Sequence, residues 1–265
     1  WYVQYGKWVL GIVTRGDLGY SWEWRRPVAD VIGDRLPLTL LLAFSTLVFM
    51  YAVALPIGIY SAVRQYSLTD HTFAAFGYIG LATPNFLLAL ILMYLGQQWF
   101  GLSVGGLYSP EFQDAPWSWD KAKDLAEHLW VPVIVLGTAG TAYLIRTMRA
   151  AVLDELDKMY VTAARAGGLS PIRLLLKYPV RMALNPIVAT LGWRLTYVIS
   201  GAPIVGVVLS LPDTGPLFLH ALLNQDMYLA GAMVLIYCSL TIIGTFLSDI
   251  LLLILDPRIR MEGQA

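Results

Sequence analysis

Residues 36–60 read LPLTLLLAFSTLVFMYAVALPIGIY and contain no charged side chain. About 20 helical residues at 1.5 Å each cross the roughly 30 Å hydrocarbon core of a bilayer, and this run is long enough. Leu, Val and Phe recur in it, and each favours the membrane by about 0.3–0.6 kcal/mol. The stretch reads as a membrane-spanning helix. The fold class follows: an all-α integral membrane protein.

The pattern repeats downstream. Residues 73–100 are also uncharged, and Thr83-Pro84-Asn85 within them predicts a kink or local unwinding, because proline removes a backbone donor. Residues 129–145 carry Gly137-Thr138-Ala139-Gly140-Thr141-Ala142, small side chains that let a neighbouring helix approach closely. Residues 187–211 are apolar apart from Arg194, and 228–255 apart from Asp249. Five spans are expected, about 36–60, 73–100, 129–145, 187–211 and 228–255. Residues 1–35 precede them as an interfacial segment, with Trp1, Trp8, Trp22 and Trp24 suited to a belt of amphipathic rings.

Composition agrees. The 265 residues are 57% hydrophobic and only 14% charged, with mean hydropathy +0.62, which points to the bilayer as solvent rather than to soluble domains. Net charge is zero, so no global field recruits nucleic acid. Cys238 is the single cysteine and cannot form an internal disulfide or a thiolate metal site. His71, His128 and His220 are scattered and no His-Glu-x-x-His helix occurs, so neither a metal site nor a catalytic cluster is expected. The phosphate-binding pattern Gly-x-x-x-x-Gly-Lys-Ser/Thr is missing from the sequence, which leaves no visible means of hydrolysing ATP.

Orientation follows from Lys and Arg, which are enriched in cytoplasmic loops. One side holds Arg64, Arg146, Arg149, Lys158, Arg165, Arg173, Lys177, Arg181, Arg258 and Arg260; the other holds Lys7, Arg15, Arg25, Arg26, Arg35, Lys121 and Lys123. The excess places the C-terminus and the loop 146–186 in the cytoplasm, and segments 1–35 and 101–128 outside. Pro110, Pro116, Trp117 and Trp119 predict ordered structure in the second of these outer segments.

The loop 146–186 carries helix signals of its own. Asp154 and Lys158 stand four apart in the acid-first order that suits one helical face. Thr162 to Ala166 continues a helix-forming run, Gly167-Gly168 ends it, and Ser170-Pro171 starts a second helix that Pro179 closes. The second helix bears Ile172, Leu174, Leu175, Leu176 and Tyr178, which need a cover. The protein's own membrane helices or the lipid interface provide one reading; a soluble partner provides the other.

The run Tyr160-Val161-Thr162-Ala163-Ala164-Arg165-Ala166-Gly167-Gly168-Leu169-Ser170, followed by Asn185-Pro186, resembles the loop signature of ABC-importer permeases, in particular the B-type permease of the dipeptide/oligopeptide pair. The family pattern is Glu-Ala-Ala, three residues, then Gly; here Thr162 stands in the glutamate position, with Ala163, Ala164 and Gly168 filling the rest. Arg15-Gly16-Asp17-Leu18-Gly19, Arg35-Leu36-Pro37, Thr83-Pro84 and Asp256-Pro257-Arg258-Ile259-Arg260 are similar in order and spacing.

The resemblance implies a type I ABC-importer helix bundle, with a further helix before Trp1 as a sixth span. It implies two ABC ATPase subunits that bind ATP and Mg, a second homologous permease and an extracytoplasmic solute-binding protein, in a bacterial inner membrane. Thr162, Ala163, Ala164, Arg165, Gly168, Leu169, Ile172 and Leu175 would form the ATPase-coupling surface, with 163–177 moving as a lever hinged at Gly168.

Asn85, Arg194, Thr196 and Ser200 are candidates for the translocation pathway, and Ser200-Gly201-Ala202-Pro203 is expected to interrupt its helix, with a plain kink at Pro203 as the equal alternative. Three readings of Arg194 stand: a pore-facing partner for a substrate carboxylate, a pair with Asp249, or a side chain snorkelling to the cytoplasmic edge. Asp213 and Asp226 are candidates for an outer gate or receptor-docking face. A secondary transporter or channel subunit not driven by ATP is the alternative function, but no matched pair of broken helices supports it.

Overall fold

The computed structural model describes residues 2–100, 105–112 and 115–255. The terminal motif 256–260 and Trp1 lie outside the described residues. The elements in order are α1 (Tyr2–Arg15), β1 (Tyr20–Ser21), β2 (Arg26–Pro27), α2 (Val28–Gly33), α3 (Leu36–Val63), α4 (Leu68–Ala82) and α5 (Asn85–Phe100), then α6 (Trp119–Leu156), α7 (Met159–Ala166), α8 (Pro171–Lys177), α9 (Pro179–Ala189), α10 (Leu191–Val208), α11 (Thr214–Leu223) and α12 (Met227–Leu255).

Among the described residues, Val28–Val63, Trp119–Leu156 and Met227–Leu255 are long and apolar enough to cross a membrane. Leu68–Ala82 with Asn85–Trp99 qualifies only as a broken pair. Of the kink or local unwinding expected at 83–85, the second is found, a break between two helices. Thr83 is extended at φ −86°, ψ 120°, the conformation that a following proline imposes on its predecessor. The stretch 129–145 is the middle of the 38-residue α6. Across 187–211 the chain breaks at Thr190, between α9 and α10. Contrary to the interruption expected at 200–203, α10 runs unbroken through them with Pro203 inside it.

The chain divides into two compact units, Trp1–Ser45 with Asn85–Leu136 and Thr196–Leu240, and Thr46–Pro84 with Gly137–Leu195 and Thr241–Ala265. In the first, α1 buries no residue. Its Trp8 donates Nε1–H to the Leu18 carbonyl at 2.9 Å and sets its ring over Gly231 of α12, where a Cβ would come within 3.3 Å. The short antiparallel pair β1–β2 presents Ser21, whose buried hydroxyl donates to Asp226 Oδ2 at 2.5 Å. Leu107, Val131, Leu209, Leu217, Leu229 and Met233 form part of this unit's core. Described residues before α6 are bonded to it: Asp124 accepts from the Ser109 N–H and hydroxyl at 2.8 and 2.5 Å, and buried Lys121 donates to the Ala115 carbonyl at 2.6 Å.

The second unit packs through small residues. A Cβ on Gly137 would lie 2.8 Å from the Phe49 ring, and one on Gly80 2.7 Å from Thr138 Cγ2, so the small run of α6 admits α3 and α4 closely. Gly58 meets Met148 and Gly192 meets Gly244 in the same way. Met50, Ala54, Leu144, Met148, Val152, Val161 and Ile187 fill the interior.

Candidate functional site

Helix α6 ends at Leu156, and Lys158 sits in the cap position of α7 with extended backbone. Asp154 and Lys158 therefore do not share a helix, which corrects the pairing expected between them. After α7, the Gly167 N–H donates to the Ala163 carbonyl at 3.0 Å and the Gly168 N–H to that of Arg165 at 3.1 Å. Gly168 has φ +81°, the left-handed conformation that ends helices and that glycine adopts without penalty. Its added Cβ would meet nothing within 4 Å, so the demand for glycine is conformational and not steric. Ser170 then leads into α8 with Pro171 in the first turn, and Pro179 both follows the end of α8 and begins α9.

This helix–turn–helix element surrounds an apolar groove of about 520 Å³ lined by Val63, Leu156, Arg165, Leu169, Pro171, Ile172, Leu174, Leu175 and Pro179. Leu174 turns inward and is buried, whereas Ile172 is 72% and Leu176 56% exposed. Four of the residues chosen from sequence, Arg165, Leu169, Ile172 and Leu175, meet at this groove. Thr162 and Ala163 are exposed on α7 and Ala164 half-buried, outside the groove lining. Val63 and Leu156 were not chosen, since nothing in the sequence ties the ends of α3 and α6 to this loop.

A second feature of this unit escaped the sequence reading. Arg149 on α6 grips Asp70 at the start of α4 through Nε to Oδ1 at 3.1 Å and Nη2 to Oδ2 at 2.9 Å. Asp70 also accepts the Tyr66 N–H at 3.0 Å, while Ser67 caps α4 by accepting from the Asp70 N–H at 3.2 Å. The Ser-x-x-acid spacing at 67–70 was the available signal.

The pathway candidates lie on α5 and α10. Asn85 opens α5 and is half-buried, Thr196 is half-buried, and Ser200 is exposed with its hydroxyl turned back to the Thr196 carbonyl at 2.7 Å. Arg194 is 3% exposed and neither snorkels nor forms an ion pair among the described residues, whereas Asp249 is exposed.

The outer candidates are helix caps. Asp213 is fully buried and accepts the Gly215 N–H at 3.2 Å at the start of α11, and Asp226 accepts the Leu229 N–H at 3.2 Å at the start of α12. Both carboxylates face inward rather than toward a docking partner. Burial pushes the Asp213 carboxyl up to about 7, against the opposing pull of the Gly215 N–H and Arg35.

Long apolar helices, small-residue contacts between them and two short helices joined by a glycine turn define a helical membrane protein. Residues 54–261 match the model of the binding-protein-dependent transport system inner membrane component, and the chain belongs to that family. It is 36% identical over 262 residues to the oligopeptide transport system permease protein AppB of Bacillus subtilis, covering 97% of this chain and 80% of that protein. It is 30% identical over 273 residues to the dipeptide transport system permease protein DppB of Escherichia coli K12, with the same coverages. A chain of the inward-facing MetNI methionine ABC transporter superposes with a TM-score of 0.65 over 85% of this chain and 96% of that one, at 17% identity. The fold is that of a type I ABC-importer permease.

Proposed function

We propose that this permease forms half of the translocation pathway of an ATP-driven importer for peptides or similar small solutes. Two ABC ATPase subunits, holding ATP and Mg, drive it; a second homologous permease completes the pathway, and an extracytoplasmic solute-binding protein delivers cargo. The spans are those given above, with 1–35 outside and the loop 146–186 and C-terminus in the cytoplasm. The relatives are named for oligopeptide and dipeptide transport, which supports the cargo class.

The observation that carries the reading is the α7–α8 element. Exposed Ile172 and Leu176 beside a groove walled by Leu169, Leu175 and Arg165 present apolar surface on a basic loop, and an ATPase subunit is the partner that would cover it. Thr162 in place of glutamate leaves Arg165, Leu169 and the apolar face of α8 as the main contacts.

Copurification tests this directly. The chain should be recovered with its ATPase subunits, and Ile172→Asp combined with Leu176→Asp should cut that recovery about tenfold or more, as for a desolvated apolar anchor worth at least about 1.4 kcal/mol, without lowering membrane insertion. Undiminished recovery in the double variant, or full transport by this chain alone in liposomes, would sink the proposal.

A further inference from the structure

Arg194 is a buried cation with an unsatisfied hydrogen-bonding edge. Its Nε–H donates to Thr190 Oγ1 at 3.1 Å, Thr190 donates onward to the Ile187 carbonyl at 3.0 Å, and the Tyr51 hydroxyl donates to the same carbonyl at 3.4 Å. This chain of bonds sets the orientation of the guanidinium. Its centre lies 4.7 Å from the Tyr143 ring centroid and 5.0 Å from that of Trp193. The rings attract the cation but supply no formal charge, so they offset only part of the cost of burying it. Nη2 is buried and has no hydrogen-bond partner.

An arginine cannot escape by losing its proton. Its missing acceptor is an anion, and the planar fork of N–H groups matches the two oxygens of a carboxylate. Asp249 does not provide that carboxylate, being exposed and unbonded to Arg194. Among the described residues no carboxylate pairs with Arg194.

The approach is also visible. A cleft of about 740 Å³ between α4 and α6 is lined in part by Tyr78, Tyr143, Arg146 and Arg149. Tyr143 thus borders the cleft and covers Arg194, and it is 48% exposed. Tyr143 is the residue that touches both the cleft and the guanidinium. Arg146, stacked on Tyr78 at 5.8 Å and in no ion pair among the described residues, lines the same cleft, as does Asp154.

We propose that Arg194 binds the carboxylate of the cargo during translocation, reached from the α4–α6 cleft past Tyr143; this rests on the peptide-import reading above. An acidic side chain of the second permease is the competing occupant, but the solute-sized cleft beside Tyr143 favours a small ligand.

The test uses the complete complex in liposomes and one peptide supplied as the free acid and as the C-terminal amide. Capture of each by the binding protein is measured separately and divided out. Wild-type complex should import the acid about ten- to hundredfold better, the range expected of a charge-assisted bond. Arg194→Gln should import both alike, and Arg194→Lys should keep part of the preference.

A wild-type ratio of one overturns the proposal without recourse to any variant. So does an unchanged ratio in Arg194→Gln, and so does loss of the second permease from purified Arg194→Gln complex, which would identify a partner carboxylate. Wild-type complex that imports neither peptide form overturns the peptide reading, and this inference with it; import with an unaltered ratio overturns this inference alone.

Discussion

Arg149 and Asp70 are joined by two parallel hydrogen bonds of 3.1 and 2.9 Å, and the carboxylate is only 4% exposed. Through Asp70 the bond also fixes Tyr66 and the first turn of α4, so the connection after α3 is anchored to α6. The groove beside α8 includes Val63 and Leu156, the final residues of α3 and α6. The pair thus ties together the helix ends that wall this groove.

Removing one partner leaves a buried charge without compensation, which costs about 3–5 kcal/mol, whereas removing both can be nearly neutral. Arg149→Met should therefore destabilise the solubilised protein more than Asp70→Asn, and the double variant should recover most of the loss. Thermal unfolding in a double-mutant cycle measures this. Additive single effects would show that the pair carries no coupling.

Gly192 and Gly244 bring two helix backbones into direct contact. A Cβ on Gly192 would lie 2.3 Å from the Thr245 nitrogen and 2.5 Å from the Gly244 carbonyl carbon, atoms that cannot rotate away. The Gly192 N–H also donates to Ser248 Oγ at 2.9 Å. Gly192→Ala should cost about 3 kcal/mol or more, the upper end for overpacking, and reduce recovery of folded protein sharply. Wild-type unfolding temperature in this variant would show that the backbones separate freely.

What the sequence disclosed and what it hid divide along a physical line. Apolar length, proline position and small-residue runs are local, so α3, the break at Thr83-Pro84 and the close packing at Gly137 and Gly140 were all legible. Arg149 and Asp70 are 79 positions apart, and each looked like an ordinary loop charge until the fold joined them. Gly192 and Gly244 drew no notice because a single glycine in an apolar run has no partner on paper. The glycine turn at Gly168 and the second short helix bearing Ile172 were legible, yet the groove's other wall, Val63 and Leu156, comes from distant helix ends. Asp213 and Asp226 were candidates for an outer gate or docking face because their segment resembles an outer loop, whereas capping buries them.

Asp213 makes a pH dependence predictable. Its carboxyl is raised from the ordinary 3.8 to about 7, so as pH rises between these values the unfolded chain gives up its proton before the folded one does. The contribution of Asp213 to stability is therefore full below about pH 4 and is lost progressively up to about pH 7. Asn is an equally good helix cap but does not titrate. Asp213→Asn should match wild type near pH 4 and exceed it near pH 8 by on the order of a few kcal/mol. Unfolding temperatures of the two proteins across that range provide the check, and parallel curves would count against a buried neutral acid.

The adjacent glycines of the hinge should behave differently. Gly168 has φ +81° in open space, so a side chain there clashes with nothing but forces a left-handed backbone, which costs an L-residue about 1–2 kcal/mol. Gly167 has φ −74°, and its Cβ would sit at an ordinary 3.5 Å from the Ala164 carbonyl. Gly167→Ala should leave uptake and substrate-stimulated ATPase activity of the assembled transporter near wild type. Gly168→Asn should be mild, because Asn tolerates this conformation, and Gly168→Asp should lower both activities with insertion intact. Gly168→Val should lower them furthest, since a β-branched residue resists positive φ most. Equal effects at 167 and 168 would mean that the turn responds to bulk. Loss confined to 168, graded from Asn to Val, would trace coupling to the backbone angle that joins α7 to α8.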